Sequence, residues 1–149
     1  MTGRASGRAP GRAAGPRPVV RRLAAPLGVA ALLGSAAGFV GVVDPHRPGR
    51  YPACPLLAHT GLYCPGCGGL RGLYALVHGD LPGALAANAL AVAGYAAFAV
   101  LWTVWTVRTL RGGEGLALAL RPGHRWALGS VVALFTVLRN LPWGVVPGP

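Results

Sequence analysis

The sequence predicts an all-α membrane protein: three transmembrane helices plus a short extracytoplasmic interfacial helix carrying a CxxC. Three observations lead there. The 149 residues are 53% hydrophobic with a mean hydropathy of +0.50 and only 11% charged, where an ordinary soluble domain carries about 25% charged residues. The apolar residues gather in runs long enough to cross a hydrocarbon core, with arginines at their ends. All three cysteines fall in one polar interruption, between Cys54 and Cys67.

The net charge of +11 suggests nucleic acid until the basic residues are located. There is no lysine, and six arginines (Arg4, Arg8, Arg12, Arg17, Arg21, Arg22) precede any apolar run. That is a topological signal rather than a folded basic surface, so nucleic acid is excluded as a partner. The expected partners are the lipid bilayer and either other membrane proteins or further copies in a homo-oligomer. Abundant Arg, Ala, Gly and Pro without Lys points to GC-rich coding and a bacterial inner (plasma) membrane.

Residues 1–22 lack the apolar side chains that would offset ordering entropy and read as a disordered Arg/Gly/Pro-rich cytoplasmic tail. The membrane domain is 23–146, with spans at about 23–43, 85–107 and 126–146. The first, Leu23 to Val43, is an uncharged run of 21 residues, about 30 Å as a helix. It exceeds a signal-peptide core and has no small-x-small site before Asp44-Pro45. A proline-rich loop, Asp44 to Pro52, leads into the extracytoplasmic cysteine segment, 53–80. There Gly69 to His78 reads as a short helix, with Leu70, Leu73 and Val77 on its apolar face and Cys67, Arg71 and His78 on another. It is expected on the membrane surface or re-entrant. Gly79 ends it, and Asp80 caps the next helix, where Pro82 sits in the tolerated first turn. Trp102, Trp105, Arg108 and Arg111 anchor that helix at its far interface. The loop to Arg125 contains LALAL, read as an interfacial turn of helix. Trp126 opens the third span, which carries Arg139, Asn140 and Pro142 inside it.

With three spans the tail and the 108–125 loop share a face and hold ten arginines, against four (Arg47, Arg50, Arg71, Arg139) on the other. The positive-inside rule then puts the N-terminus in the cytoplasm, with the cysteine segment and C-terminus outside.

Cys64-Pro-Gly-Cys67 admits three chemistries. An oxidising compartment favours a disulfide, Cys64–Cys67 or Cys54 with either. Cys54, His59, Cys64 and Cys67 make a Cys3His set for zinc. Thiol–disulfide exchange suits Cys67, whose place at a helix start with Arg71 one turn on favours thiolate. No βαβ pattern surrounds the motif, so a thioredoxin fold is excluded, and quinone-linked oxidoreductases generally use two cysteine pairs. Below the segment, Asn88, Arg139 and Asn140 fall at one depth. An arginine there needs partners or must snorkel, and Asp80 is the best carboxylate candidate. The cysteine segment then reads as the lid of a small polar site, Arg71 and Asp80 at its rim and Asn88, Arg139 and Asn140 beneath.

Cys54-Pro, the block GLYCPGCGGLRGLYALVHGD, Asn88 with Leu90, and the late LRNLP together resemble a family of small bacterial membrane proteins, domain of unknown function 2752. Its pattern is C-P, then C-P-x-C-G-x-T-R, G-D, N-P-L and R-N-x-P. Leu70 stands here where the family has Thr, and Ala89 where it has Pro. The resemblance implies a multi-pass membrane protein and supplies no activity. Two functional classes follow. One is a non-enzymatic membrane component with a disulfide- or metal-stapled cap. The other is a thiol–disulfide oxidoreductase or other enzyme, with Cys64, Cys67, Arg71, Asp80, Asn88, Arg139 and Asn140 as its site.

Overall fold

A computed structural model describes residues 19–113 and 121–142. Most of the expected tail, the LALAL turn and the end of the expected third span lie outside these residues. The described part is all helix, with no strand among the described residues: α1 (Val19–Val42), α2 (Pro55–Thr60), α3 (Gly69–Val77), α4 (Leu81–Leu110) and α5 (Pro122–Arg139).

α1 and α4 are both long and apolar enough to cross a membrane, each with a mean hydropathy of 1.9. In each, only 11% of the most apolar window is buried against protein. A core helix of a soluble domain hides such a surface. Here Leu32, Phe39, Phe98, Val100 and Leu101 stand exposed, which suits contact with lipid. α5 does not reach that standard. It is 18 residues long and ends at Arg139, where Asn140 serves as its C-cap, instead of running on to 146. α1 also begins earlier than expected, so Val19 to Arg22 are helical rather than part of a disordered tail.

α1 and α4 run antiparallel. Trp102 Nε1 donates to the carbonyl of the buried Pro26 at 3.1 Å near one end, and Arg22 approaches Gly112 beyond it. At the other end α3 packs on both. Gly41 of α1 faces Val77, Gly72 faces the Ala84 carbonyl of α4, and Tyr95 donates its hydroxyl to the Gly69 carbonyl at 3.2 Å. α3 and α4 therefore form an αα-hairpin. Gly79 (φ +79) turns the chain, and Asp80 Oδ1 accepts from Gly83 N at 2.9 Å, the expected cap. The short helix is thus packed against two long ones rather than lying alone on the surface. Its N-terminal end reaches the level of Ala91 and Tyr95.

α4 is not the continuous helix its composition suggests. Asn88 has φ −166° and ψ 94°, extended backbone inside the helix. Eight residues separate Asp80 from Asn88, so the break lies about 12 Å below the cap.

Candidate functional site

The break organises everything around it. Asn88 Oδ1 accepts from Ala91 N at 2.9 Å, so Asn88 N-caps the second half of α4. Its Nδ2 donates to the carbonyls of Pro65 (2.8 Å) and Cys67 (2.9 Å), pinning the CPGC loop to the break. The side chain is wholly buried. The Ala87 carbonyl, which a continuous helix would spend on Ala91 N, instead accepts from Arg139 Nη2 at 3.1 Å. Asn140 clamps the other side of the loop: Tyr63 N donates to its Oδ1 at 2.8 Å, and its Nδ2 donates to the Tyr63 carbonyl at 2.9 Å.

This polar cluster is also where the molecule is best packed. Among the described residues the buried apolar side chains are few, Pro26, Val40, Cys67 and Ala84, and beside them Asn88 and Arg139 are only 0% and 3% exposed. The long helices elsewhere keep their apolar faces exposed; burial here is arranged by hydrogen bonds.

The three thiols converge. Cys64 Sγ lies 3.5 Å from Cys54 Sγ and 3.0 Å from Cys67 Sγ, and all three sulfurs fall within 4.8 Å of one another. None is bonded to another. Cys54 comes from the start of α2, a helix the sequence reading did not foresee. Pro55 at its first position and Gly61 (φ +73) after its end define it. His59 sits exposed on α2 and is not brought to the sulfurs. The cluster is therefore three thiols without the expected histidine.

Electrostatically the thiols differ, and not as the sequence suggests. The Leu57 N–H at the start of α2 and the neighbouring thiols bring Cys54 down to about 7. Burial, then hydrogen bonds with Cys64 and Cys54, pushes Cys67 up to about 12, overriding the helix start expected to favour its thiolate. In reduced, metal-free protein Cys54 should alkylate first, faster as its thiol ionises between about pH 6 and about pH 8, and Cys67 last. Mass mapping of iodoacetamide adducts checks this; equal labelling of both would contradict it.

Arg71 is half-buried on α3. With His46, Arg47, Cys54 and Cys67 it lines an open pocket of about 420 Å³. Asp80 is exposed and engaged as a cap, so it does not meet Arg139. The ion pair among the described residues joins Asp44 and His46 at 2.8 Å. The lid description thus changes: the cysteine loop lies at the level of Asn88 and Arg139, bonded to the one and against the other.

A family model, "Protein of unknown function (DUF2752)", matches residues 54–102. Over those residues the chain is similar to DUF2752. No curated protein and no solved structure matches the chain. The DUF2752 match begins at the first thiol and takes in α3, the break and Trp102, and it stops short of Arg139 and Asn140. The two residues that clamp the loop from α5 therefore come from outside the matched segment. Tyr63, gripped through its backbone and stacked under Arg139, was not foreseen. Gly68 (φ +78), wedged against Ala87, was marked only by the Gly68-Gly69 pair after Cys67.

Proposed function

We propose that this protein is a non-enzymatic, bilayer-embedded component whose Cys54, Cys64 and Cys67 hold a thiophilic metal ion, zinc foremost. The ion staples a re-entrant cysteine loop into the membrane domain. The observation that carries this reading is the convergence of all three sulfurs. Tetrahedral zinc with Zn–S near 2.3 Å sets its sulfurs about 3.8 Å apart. The distances of 3.0 and 3.5 Å, and the 4.8 Å limit on the third, bracket that value. A disulfide would use two of these sulfurs and strand the third, whereas a metal uses them all. The fourth ligand would enter from solvent, through the pocket beside Cys54 and Cys67. On this reading α5 is the third span, and the arginine-rich ends of α1 and α4 are cytoplasmic. The apolar faces of α1, α4 and α5 meet lipid, other membrane proteins or a second copy. An impermeant maleimide should reach the cysteine segment only from outside, and labelling only from the cytoplasmic side would overturn the orientation.

Thiol–disulfide exchange is the second reading, because Cys64 is flanked on both sides. The Cys54 thiolate would attack Cys64 of a Cys64–Cys67 disulfide, forming Cys54–Cys64 and releasing the Cys67 thiolate. Native mass of the purified protein separates the readings. A metal reading expects one ion per chain, lost to chelator and to Cys64→Ser. A mass short by two hydrogens, restored by reductant and indifferent to chelator, would overturn it in favour of a disulfide, and peptide mapping that finds both Cys64–Cys67 and Cys54–Cys64 would favour exchange.

A further inference from the structure

We propose that Arg139 is the built-in counter-charge of the cysteine centre, and that the ion it balances is divalent; this rests on the metal-binding reading above. Arg139 is 3% exposed, and its Nε and Nη1 have no hydrogen-bond partner. Only Nη2 is used, on the Ala87 carbonyl. The rings of Tyr63 and Phe135 enclose the guanidinium, 5.6 and 5.8 Å from Cζ to each centroid. Two ring faces and one carbonyl supply a quadrupole and a dipole, which do not neutralise a desolvated cation. No carboxylate does so among the described residues, since Asp80 caps α4 and Asp44 is held by His46.

The backbone that carries the thiols lies alongside. Nη2 is 3.3 Å from where a Cβ on Gly68 would stand, and Gly68 follows Cys67. Three thiolates around a divalent ion sum to one negative charge. A monovalent ion would leave two, and a trivalent ion none. Arg47 and Arg71 line the open pocket beside Cys54 and Cys67, where solvent screens them, so Arg139 is the one buried guanidinium; it matches the divalent case where an unbalanced charge is costly. Loop, break and α5 terminus are thereby joined by charge as well as by hydrogen bonds. Arg139 acts here as a positioning residue on the metal ligands, not as a ligand.

The test is zinc competition against a chromophoric chelator, using the full chain in detergent, with Arg139→Gln and Arg139→Lys. Glutamine keeps an N–H donor for Ala87 but no charge; lysine keeps the charge but loses the planar fork. Glutamine should weaken zinc binding by roughly tenfold or more, as loss of an outer-shell partner does, and lysine should stay within about threefold of the parent. Cadmium, read by its thiolate charge-transfer band, should give the same order. If Arg139→Gln does not accumulate, lysine decides alone: a tenfold loss with helicity intact overturns the proposal. A parent protein that holds no zinc overturns the metal reading itself. Zinc held equally by the parent and Arg139→Gln overturns only the counter-charge. Stabilisation of the parent, but not of Arg139→Gln, by inorganic phosphate in place of metal would overturn it in favour of an anion on the free N–H groups.

Discussion

Asn88→Leu is expected to destabilise the folded protein by about 2–4 kcal/mol and to release the CPGC loop from α4. Leucine fills a similar volume but deletes three hydrogen bonds at once, to Pro65, Cys67 and Ala91. Interhelical hydrogen bonds in membrane proteins often contribute only about 0.6 kcal/mol, because the unfolded chain finds other partners. Asn88 differs in what it satisfies. The Pro65 and Cys67 carbonyls belong to a non-helical loop packed against α4, and polar backbone turned away from water must find its partners in the protein. Asn88→Asp divides the effect. It keeps an oxygen for Ala91 N but sets a carboxylate against two carbonyls, so it should be at least as damaging as leucine. Denaturation in mixed micelles measures the stability, and faster alkylation of Cys67 reports the loop. An Asn88→Asp protein with parental stability and a protected Cys67 would show that the loop is held by something other than these bonds.

The helices were legible because their causes are local. The run from Leu23 to Val43 and the caps at Gly79 and Asp80 act through neighbouring residues, and the structure keeps each of them. The break at Asn88 was missed because α4 is apolar on both sides of it, and composition cannot register a change of backbone angle. One signal was present. The family pattern has proline where this chain has Ala89, and a residue before proline is driven to extended backbone. Asn88 is extended here without that proline, held by its own hydrogen bonds. The grouping of Asn88, Arg139 and Asn140 followed from depth counting. Their partners did not, because Pro65, Tyr63, Cys67 and Ala87 contribute backbone atoms, which no residue type advertises. Cys54 and His59 show the same limit from the other side. Spacing offered both as ligands, and the turn of α2 brings one to the sulfurs and leaves the other facing out.

Gly68→Ala should cost about 3 kcal/mol or more, while Gly79→Ala, at nearly the same backbone angle, should cost about 1 kcal/mol. Both glycines are left-handed, with φ of +78° and +79°. Around Gly79 a Cβ would meet nothing within 4 Å, so alanine there incurs only the conformational penalty. At Gly68 a Cβ would stand 2.6 Å from the Ala87 carbonyl oxygen and 3.3 Å from Arg139 Nη2. The first contact is with backbone, at the point where the helix is broken and its carbonyl committed to Arg139. Relief therefore requires the CPGC loop to lift from α4, stretching the bonds of Asn88 to Pro65 and Cys67 together. The damage should extend to the thiols: Gly68→Ala should expose Cys67 to alkylation and weaken any metal held there, while Gly79→Ala leaves both as they were. Equal stability losses in the two variants would mean that the approach of loop to break is not what requires glycine at position 68.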